Sequence, residues 1–586
     1  MLKKLARSVR DYKKPAILTP VFMIGEVVCE CIIPMITAKL INSIEAYCKI
    51  EADCEMGVIA KYGIMLFVMA LVSLAFGALA GMTAATASAG FAKNLRHDLF
   101  YRVQTFSFSN IDRFSTSSLV TRLTTDVNNV QMAFMMIIRI AVRAPLMLVF
   151  SSVMAAFVGK KLSFVFVAII PFLATALGLV IYKAMPVFKG AFKKYDGLNN
   201  SIQENIKGIR VVKSFVREDH EIKKFAVVSE QVRNDFTKAE KILAFNGPAM
   251  QTSMYSGMLL ISFFAAKLIV SSGGTYLNVG ALSSMLTYSM QILMSLMMVS
   301  MIFVMLTMAM ASAKRIVEVL DETSDITNKE NAVREVSDGS IEFSDVCFKY
   351  SENAEKYALS NINLKIASGQ TVGIIGGTGS SKTSLIQLIS RLYDVSQGSV
   401  KVGGIDVRDY DISTLRNQVS VVLQKNVLFS GSINENLRWG DADADENEIR
   451  RICELSQAAE FIDRFPDKYE THIEQGGSNV SGGQKQRLCI ARALLKKPKI
   501  LILDDSTSAV DTKTDALIRK AFREEIPDTT KIIIAQRIAS VQDADMIVVM
   551  DNGCISDVGT HDELLSRSEI YKEVYYSQNK AGDSNE

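Results

Sequence analysis

The sequence predicts two unlike halves: an all-α transmembrane domain of six helices with long cytoplasmic extensions, and then an α/β domain. Apolar residues make up 49% of the 586 residues, and their excess lies before about residue 312. After that point, short apolar segments typical of strands alternate with segments of helical periodicity. A chain of this length has room for several domains, because one hydrophobic core stops growing at about 250–300 residues.

Six apolar segments reach the length of about 20 residues that a helix needs to cross a bilayer. We place these spans near residues 16–44, 57–90, 133–158, 161–186, 248–272 and 279–311. An even number of spans puts both termini on one side, and basic segments around 93–122 and 183–224 mark that side as cytoplasmic. Compact loops and the lack of an organelle-targeting segment favour a multi-pass protein of a bacterial plasma membrane.

Two cytoplasmic extensions reverse direction at short connections, near residues 107–123 and 205–218. Both connections lie in long polar stretches that keep helical periodicity. We interpret them as coupling segments that dock on another domain, with two solvated helical hairpins as the alternative.

Charged and thioether side chains inside the spans indicate a substrate cavity. Glu26 and Glu30 share one helical face, and so do Arg139 and Arg143. Because a charge at the bilayer centre costs about 2.5–3.5 kcal/mol on insertion scales, these side chains should face water or the interface. We expect the arginines to reach the inner headgroups, and the glutamates to lie either at the interface or in a cavity for cationic ligands. The sixth span adds flexible thioethers that suit ligands of several shapes or simply pack, among them Met294, Met298 and Met301.

Charge and cysteine content exclude other classes of protein. A net charge of +3 indicates no nucleic-acid partner, and the eight cysteines show no zinc-ligand spacing. Cys48 and Cys54 flank a predicted external loop and either form a disulfide or remain free thiols.

The changes in composition divide the chain into four parts. We expect the transmembrane domain at 1–320, a polar linker at 321–340, the α/β domain at 341–575 and a disordered tail at 576–586.

A glycine-rich turn follows the apolar segment 371–375 and leads into a helical pattern. Backbone N–H groups of such a turn, with the helix N-terminus and a lysine, cradle the β- and γ-phosphates of a nucleotide, and a hydroxyl can bind Mg²⁺. The pattern normally has glycine before the lysine, and this chain has Ser381 instead. The predicted cradle comprises Gly376, Gly377, Thr378, Gly379, Ser380, Ser381, Lys382, Thr383 and Ser384.

A second apolar strand, 499–503, ends in two carboxylates, Asp504 and Asp505. A strand that ends in acids is a place to hold Mg²⁺, and its pairing with the glycine-rich turn predicts a nucleotide-binding domain. Between the two motifs lies VSGGQKQR, residues 480–487.

VSGGQKQR resembles the signature of ABC transporters, which ordinary P-loop ATPases lack. The order of six spans and one nucleotide-binding domain is similar to that of exporter-type half-transporters, over nearly the whole chain. This resemblance implies a P-loop (RecA-like) α/β domain with a helical subdomain, and it implies ATP and Mg²⁺ as cofactors.

The resemblance also assigns roles to single residues. Tyr350 matches the aromatic side chain that stacks on adenine, Gln424 the glutamine that touches Mg²⁺, and Asp504 the Mg²⁺-organising acid. The signature residues, which act on a nucleotide held by the opposite subunit, match Ser481, Gly482, Gly483 and Gln484. Asp511 lies in SAVD, the loop that crosses the dimer interface. Thr383, Gln424 and Asp504 are thus the expected metal ligands.

Two catalytic positions depart from the family pattern. Asp505 stands where a glutamate polarises the attacking water, and Gln536 where a histidine contacts the γ-phosphate. An aspartate carboxylate falls more than about 1 Å short, a misplacement that can cost on the order of 100-fold in rate. A glutamine side chain can hydrogen-bond a phosphate, but unlike a histidine it cannot share a proton or carry a charge there. The loss of both residues resembles heterodimeric exporters of this family, in which one of the two ATP sites is degenerate and the other hydrolyses ATP. We therefore expect a non-identical partner half-transporter that carries the glutamate and the histidine.

The leading hypothesis is therefore one subunit of an ATP-driven exporter of amphipathic or drug-like compounds. A regulatory subunit that binds ATP without pumping is an alternative, as is an exporter of peptides or lipids. Import ranks lower, because we find no domain for docking a binding protein. Six spans exclude a soluble protein of the same family that acts on ribosomes.

Overall fold

The computed structural model of the chain describes residues 1–49, 56–506 and 508–580. It contains two compact units, one of residues 1–104 and 115–322, and the other of residues 105–114 and 323–586. Cys48 and Cys54, for which the sequence leaves a disulfide or two free thiols open, lie outside the described side chains. The other six cysteines are free thiols: Cys29, Cys31, Cys347, Cys453, Cys489 and Cys554.

The first unit is helical. The helices up to residue 321 are α1 (Leu2–Arg7), α2 (Lys13–Lys49), α3 (Met56–Gln104), α4 (Phe108–Arg113), α5 (Thr116–Thr121), α6 (Val127–Gly159), α7 (Phe164–Lys207), α8 (Ile209–Ser214), α9 (Glu218–Leu243), α10 (Asn246–Ser272) and α11 (Val279–Asp321), of which α4 belongs to the second unit. Within the described residues, six helices are long and apolar enough to cross a membrane. Each of the six predicted spans falls on one of these helices, so the prediction of six spans is confirmed.

Helix α2 packs against α3, α6 and α11. Hydrogen bonds set its axial position relative to α11. Tyr288 on α11 is fully buried and donates to the carbonyl oxygen of Cys31 over 2.8 Å. Ser284, one turn earlier, donates to the carbonyl oxygen of Pro34 over 2.6 Å. Because backbone polar groups inside a bilayer need partners within the protein, these bonds hold the two helices in one register.

A π-helical turn at Arg122–Asp126 leads into α6, and Asp126 forms an ion pair with α11. The guanidinium of Arg315 donates from Nε to Oδ2 of Asp126 over 2.8 Å, and the Asp126 side chain is fully enclosed. Turns of this kind are often functional, because the extra residue re-aims the following side chains.

The second unit is built on two sheets and surrounding helices. Its strands are β1 (Ile341–Phe348), β2 (Leu359–Ile366), β3 (Thr371–Gly376), β4 (Gln397–Val402), β5 (Ile405–Asp406), β6 (Val419–Val422), β7 (Gly431–Ser432), β8 (His472–Ile473), β9 (Ile500–Asp504), β10 (Thr530–Ile534), β11 (Met546–Asp551) and β12 (Cys554–Gly559). Its remaining helices are α12 (Lys382–Ile389), α13 (Ile412–Gln418), α14 (Ile433–Leu437), α15 (Glu446–Leu455), α16 (Ala459–Ile462), α17 (Gly482–Leu495), α18 (Thr512–Glu525), α19 (His561–Arg567) and α20 (Glu569–Lys580).

The larger sheet has the strand order β12-β11-β3-β10-β9-β6. Strands β11, β3, β10, β9 and β6 are parallel neighbours, and only β12 runs antiparallel. The parallel strands are rich in buried Ile, Leu and Val, as is typical of a sheet that helices cover on both faces. Their carboxyl ends meet at one edge, which is where open α/β sheets bind ligands. The second sheet, β2-β1-β4-β5, is antiparallel.

Two segments differ from the sequence expectation. Within the predicted linker 321–340, Val336 is buried and the N–H of Val333 donates to the carbonyl oxygen of Asp409 over 2.8 Å. The chain is therefore packed on the second unit over part of this polar stretch. Helix α20 continues to Lys580, past residue 576 where we expected disorder to begin. In its last turns, the side chain of Gln578 accepts one hydrogen bond from the loop after β10 and donates another to it.

Candidate functional site

The glycine-rich turn predicted to cradle phosphates connects β3 to α12 at the carboxyl edge of the larger sheet. Gly376 has no room for a side chain, because a Cβ there would lie 2.2 Å from the carbonyl oxygen of Met550. Gly377 and Gly379 instead face open space, and Gly379 has a φ of +84°. The first residue of the loop is thus closely packed, whereas the following glycines leave free space where phosphates would bind.

Ser381, the residue that replaces glycine, has the left-handed backbone conformation that glycine would adopt freely, with φ +68° and ψ +25°. This conformation costs a residue with a Cβ about 1–2 kcal/mol. The turn therefore keeps its shape at the expense of local strain.

Lys382 folds back over the loop. Its Nζ donates to the carbonyl oxygens of Gly376 over 2.9 Å and Gly377 over 2.8 Å, and to Oγ of Ser380 over 3.2 Å. Burial lowers the pKa of Lys382, and the carboxylates of Asp504 and Asp505 oppose that shift.

Two of the three expected metal ligands meet beside this loop. The hydroxyl of Thr383 donates to Oδ2 of Asp504 over 3.0 Å, and Asp504 is 3% exposed at the end of β9. Burial raises the pKa of Asp504, while the hydrogen bond from Thr383 opposes that rise. A hydroxyl next to a carboxylate is a donor set that suits Mg²⁺, so these residues fit the ion. Gln424 is exposed on the loop after β6 and faces Asp505.

The two departures from the family pattern contact each other. Nε2 of Gln536 donates to Oδ2 of Asp505 over 2.8 Å, and Nε2 of Gln424 lies 3.5 Å from the same oxygen. Burial raises the pKa of Asp505, whereas these two amides oppose the rise. Asp505 also has a positive φ of +51°. The carboxylate is thus fixed between two amides.

Tyr350, the expected adenine platform, lies beside α12. Its hydroxyl oxygen is 2.8 Å from Oγ of Ser384, and its ring meets that of Tyr393 edge to face at 5.2 Å. Tyr350 is half-exposed, so one side of the ring is open.

Tyr393, which the sequence did not single out, joins this platform to α4. Its hydroxyl donates to Oδ2 of Asp112 over 2.5 Å, and its ring lies 6.1 Å from that of Phe108. Burial and the neighbouring Asp112 carboxylate raise the pKa of Tyr393, which therefore stays protonated as a donor. Ser109 and Asn110 bond to Asp325 and to the carbonyl oxygen of Thr323. Helix α4 therefore packs within the second unit through these contacts.

The second connection, 205–218, lies in the first unit and includes α8. Its apolar side chains are largely exposed: Ile206, Ile209, Val211, Phe215 and Val216.

The signature forms a cluster of its own at the start of α17. Ser481 and Gln484 form a reciprocal capping box, which fixes Gly482 and Gly483 in the first helical turn. Gln486, buried and missed by the sequence analysis, accepts from the N–H of Ala509 over 3.0 Å. Asp511 caps α18 by accepting from the N–H of Thr514 over 2.9 Å. The signature and the loop 508–511 are thus held together.

The predicted cavity residues are brought together only in part. Arg143 forms ion pairs with Glu26 and Glu30, so its guanidinium is directed at two carboxylates one turn apart on α2. Arg139 makes no ion pair within the part of the chain that the structure describes. Met294, Met298 and Met301 are exposed on α11.

The comparisons with known proteins agree with this architecture. The family described as the ABC transporter transmembrane region matches residues 17–297, and the family described as ABC transporter matches residues 359–508. The uncharacterized ABC transporter ATP-binding protein YfiB of Bacillus subtilis is 35% identical over 577 residues, 98% of either chain. This chain belongs to the ABC transporter family. The uncharacterized ABC transporter ATP-binding protein Rv1273c of Mycobacterium tuberculosis is 33% identical over 99% of this chain and 98% of its own.

Among solved structures, a bacterial Atm1-family ABC exporter with ATP bound has the same fold. Its TM-score is 0.83 at 22% identity, over 97% of this ABC transporter chain and 99% of that chain. The prediction of a helical transmembrane domain followed by an α/β nucleotide-binding domain is confirmed.

Proposed function

We propose that this ABC transporter chain is one subunit of a heterodimeric, ATP-driven exporter that moves amphipathic, drug-like compounds out across a plasma membrane. The family, the six apolar helices and the exporter fold support the export of a membrane-partitioning cargo. An apolar cargo would reach such a protein from the bilayer, and closure of paired ATP-binding domains would turn its cavity from inward to outward facing.

ATP occupies the cradle between β3 and α12 in this proposal. The loop N–H groups and Lys382 hold the phosphates, and Tyr350 stacks on adenine. Thr383, Gln424 and Asp504 hold Mg²⁺, which would neutralise phosphate charge. The 3.0 Å contact between Thr383 and Asp504 supports this assignment, because both groups reach one point beside the loop.

The contact between Gln536 and Asp505 carries the proposal of slow hydrolysis. The Asp505 carboxylate is one methylene shorter than the family's glutamate, and one of its oxygens already accepts from an amide at 2.8 Å. An amide cannot take a proton from water, so neither side chain supplies a general base in the right place. The site should bind ATP and hold it for long periods.

The partner completes the function. Ser481, Gly482, Gly483 and Gln484 of this chain retain the family signature and would act on ATP held by the partner. That partner must carry the glutamate and the histidine that this chain lacks. Closure is passed to the membrane helices through the segments 107–123 and 205–218.

The test is ATP hydrolysis by the purified chain alone and together with a non-identical half-transporter that carries the glutamate and the histidine. We expect slow hydrolysis by the chain alone, and rapid hydrolysis by the pair that an amphipathic cargo stimulates. Fast hydrolysis by the chain alone would contradict the heterodimer. A pair that binds ATP but shows no cargo-stimulated hydrolysis would favour a regulatory subunit.

A further inference from the structure

Glu26 and Glu30 on α2 share one guanidinium inside the membrane domain. Nη1 of Arg143 lies 2.5 Å from Oε1 of Glu26, and Nη2 lies 2.7 Å and 2.9 Å from the two carboxylate oxygens of Glu30. Two carboxylates on one cation leave the cluster with one uncompensated negative charge when both are ionised. An isolated charge at this depth is costly, which makes such a residue a candidate functional site.

The described side chains around Glu26 and Glu30 do not compensate that charge. Glu26 is 8% exposed, and its Oε2 is enclosed with no hydrogen-bond partner among the residues that the structure describes. Gly77 on α3 faces this carboxyl group, and a Cβ at Gly77 would lie 3.3 Å from it. Arg139, one turn before Arg143, pairs with none of the described carboxylates. A buried acceptor without a partner destabilises the folded protein, and it does so more strongly when it is charged.

The cluster borders an apolar surface on α11. Pro34 has no N–H, which leaves the carbonyl of Glu30 without its helical donor, and Nε2 of Gln291 donates to it over 3.2 Å. This hydrogen bond places the part of α11 around Gln291 next to Glu30. The positions three, seven and ten residues further along share its face. These are Met294, Met298 and Met301, with exposures of 49%, 39% and 56%.

We propose that Glu26 and Glu30 bind the positively charged group of an amphipathic organic monocation, and that the methionine face of α11 contacts its apolar body. A monocation brings the cluster to neutrality, whereas a neutral or anionic amphipath leaves the residual charge uncompensated. Glu30 and Arg143 are each one-quarter exposed and form the open edge of the site. This inference rests on the proposed export of amphipathic compounds and specifies the charge of the cargo.

The test is equilibrium binding of tetraphenylphosphonium and of tetraphenylborate, an anion of similar shape, to the full chain in lipid nanodiscs. The wild-type chain should prefer the phosphonium. The double variant Glu26→Gln/Glu30→Gln should lose that preference, with phosphonium affinity reduced on the order of tenfold or more. Arg143→Gln should bind phosphonium more tightly, because it removes the competing internal cation. Glu45→Gln removes the same charge from the same helix about 15 residues away and should bind as wild type does.

Equal binding of the two probes by the wild-type chain, or unchanged phosphonium affinity in the double variant, would overturn the cation site. Thermal unfolding of each variant reports folding. If the double variant does not fold, the probe comparison on the wild-type chain and the Arg143→Gln variant decide. A different measurement tests the proposed function. If cargo never stimulates ATP hydrolysis by the chain and the proposed partner, export is contradicted whatever the binding experiment shows.

Discussion

Gln536 donates a hydrogen bond from Nε2 to Oδ2 of Asp505 over 2.8 Å, so the side chains that follow two neighbouring parallel strands are locked together. In the ABC transporter family these positions belong to a glutamate and a histidine that act on water and phosphate. In this chain the Gln536 amide and the Asp505 carboxylate are instead hydrogen-bonded to each other. The contact explains how a carboxylate with a left-handed backbone stays in one orientation.

Restoring the family residues should therefore speed hydrolysis. Asp505→Glu combined with Gln536→His returns a general base to the place of the water, and we expect turnover at this site to rise on the order of 100-fold. Phosphate release by the chain assembled with the proposed partner, in which the catalytic glutamate is changed to glutamine, measures hydrolysis at this site alone. Asp505→Asn keeps the shape without a base and should give no gain. Equal turnover in both variants would contradict the account.

Ser381→Gly should stabilise the nucleotide-free protein. It removes the strain of a Cβ at φ +68°. After the extra chain entropy of glycine in the unfolded state is subtracted, the expected gain in the free energy of unfolding is on the order of 0.5–1 kcal/mol. Chemical denaturation of the full chain measures it. Ser381→Ala removes the hydroxyl but keeps the Cβ, so it should bring no gain, and a stabilising alanine would show that strain is not the cause.

Tyr393→Phe should loosen α4 in the second unit. The change removes the hydrogen bond to the Asp112 carboxylate, and bonds to charged groups contribute about 1.5–3 kcal/mol. Hydrogen exchange of residues 107–113 should accelerate on the order of tenfold or more, and cargo should stimulate ATP hydrolysis less. Tyr357→Phe serves as the control, because Tyr357 contacts Lys349 and Gln397 rather than α4. Similar exchange in both variants would count against this role of Tyr393.

Gln578→Ala should release the loop that carries Gln536. The Gln578 amide donates to the carbonyl oxygen of Gln536 over 2.7 Å and accepts from the N–H of Ile538 over 3.0 Å. Loss of two neutral hydrogen bonds, each worth about 0.5–1.5 kcal/mol, should accelerate hydrogen exchange at residues 535–539. Ser577→Ala, which alters only a bond to the carbonyl oxygen of Val574 inside α20, should leave it unchanged. Wild-type exchange in Gln578→Ala would show that α20 does not hold the loop.

Local patterns predicted much of this molecule. Each of the six spans is a continuous apolar segment, and the phosphate cradle is one strand, one turn and one helix. Both kinds of feature can therefore be predicted from about 20 consecutive residues. Asp505 and Gln536 were predicted from the same motifs. Their direct contact was not, because it depends on β9 and β10 being neighbours in the sheet.

Pairings between distant residues had no local signal. Tyr393 and Asp112 are 281 residues apart, Arg143 and Glu26 are 117 apart, and Gln578 and Gln536 are 42 apart. The sequence predicts a linker before β1 but not its packing on the second unit, because that packing depends on contacts such as the one between Val333 and Asp409. Composition cannot report such packing.

The allocation of residues 105–114 to the second unit bears on any attempt to cut this protein in two. A fragment beginning at residue 323 would include all the described strands and yet lack α4. The Tyr393 hydroxyl would then lose its bond to Asp112, and the surface that Phe108 covers would be exposed to solvent. Its solubility and melting behaviour would then describe a damaged domain. Supplying the missing decapeptide through a short tether should repair it.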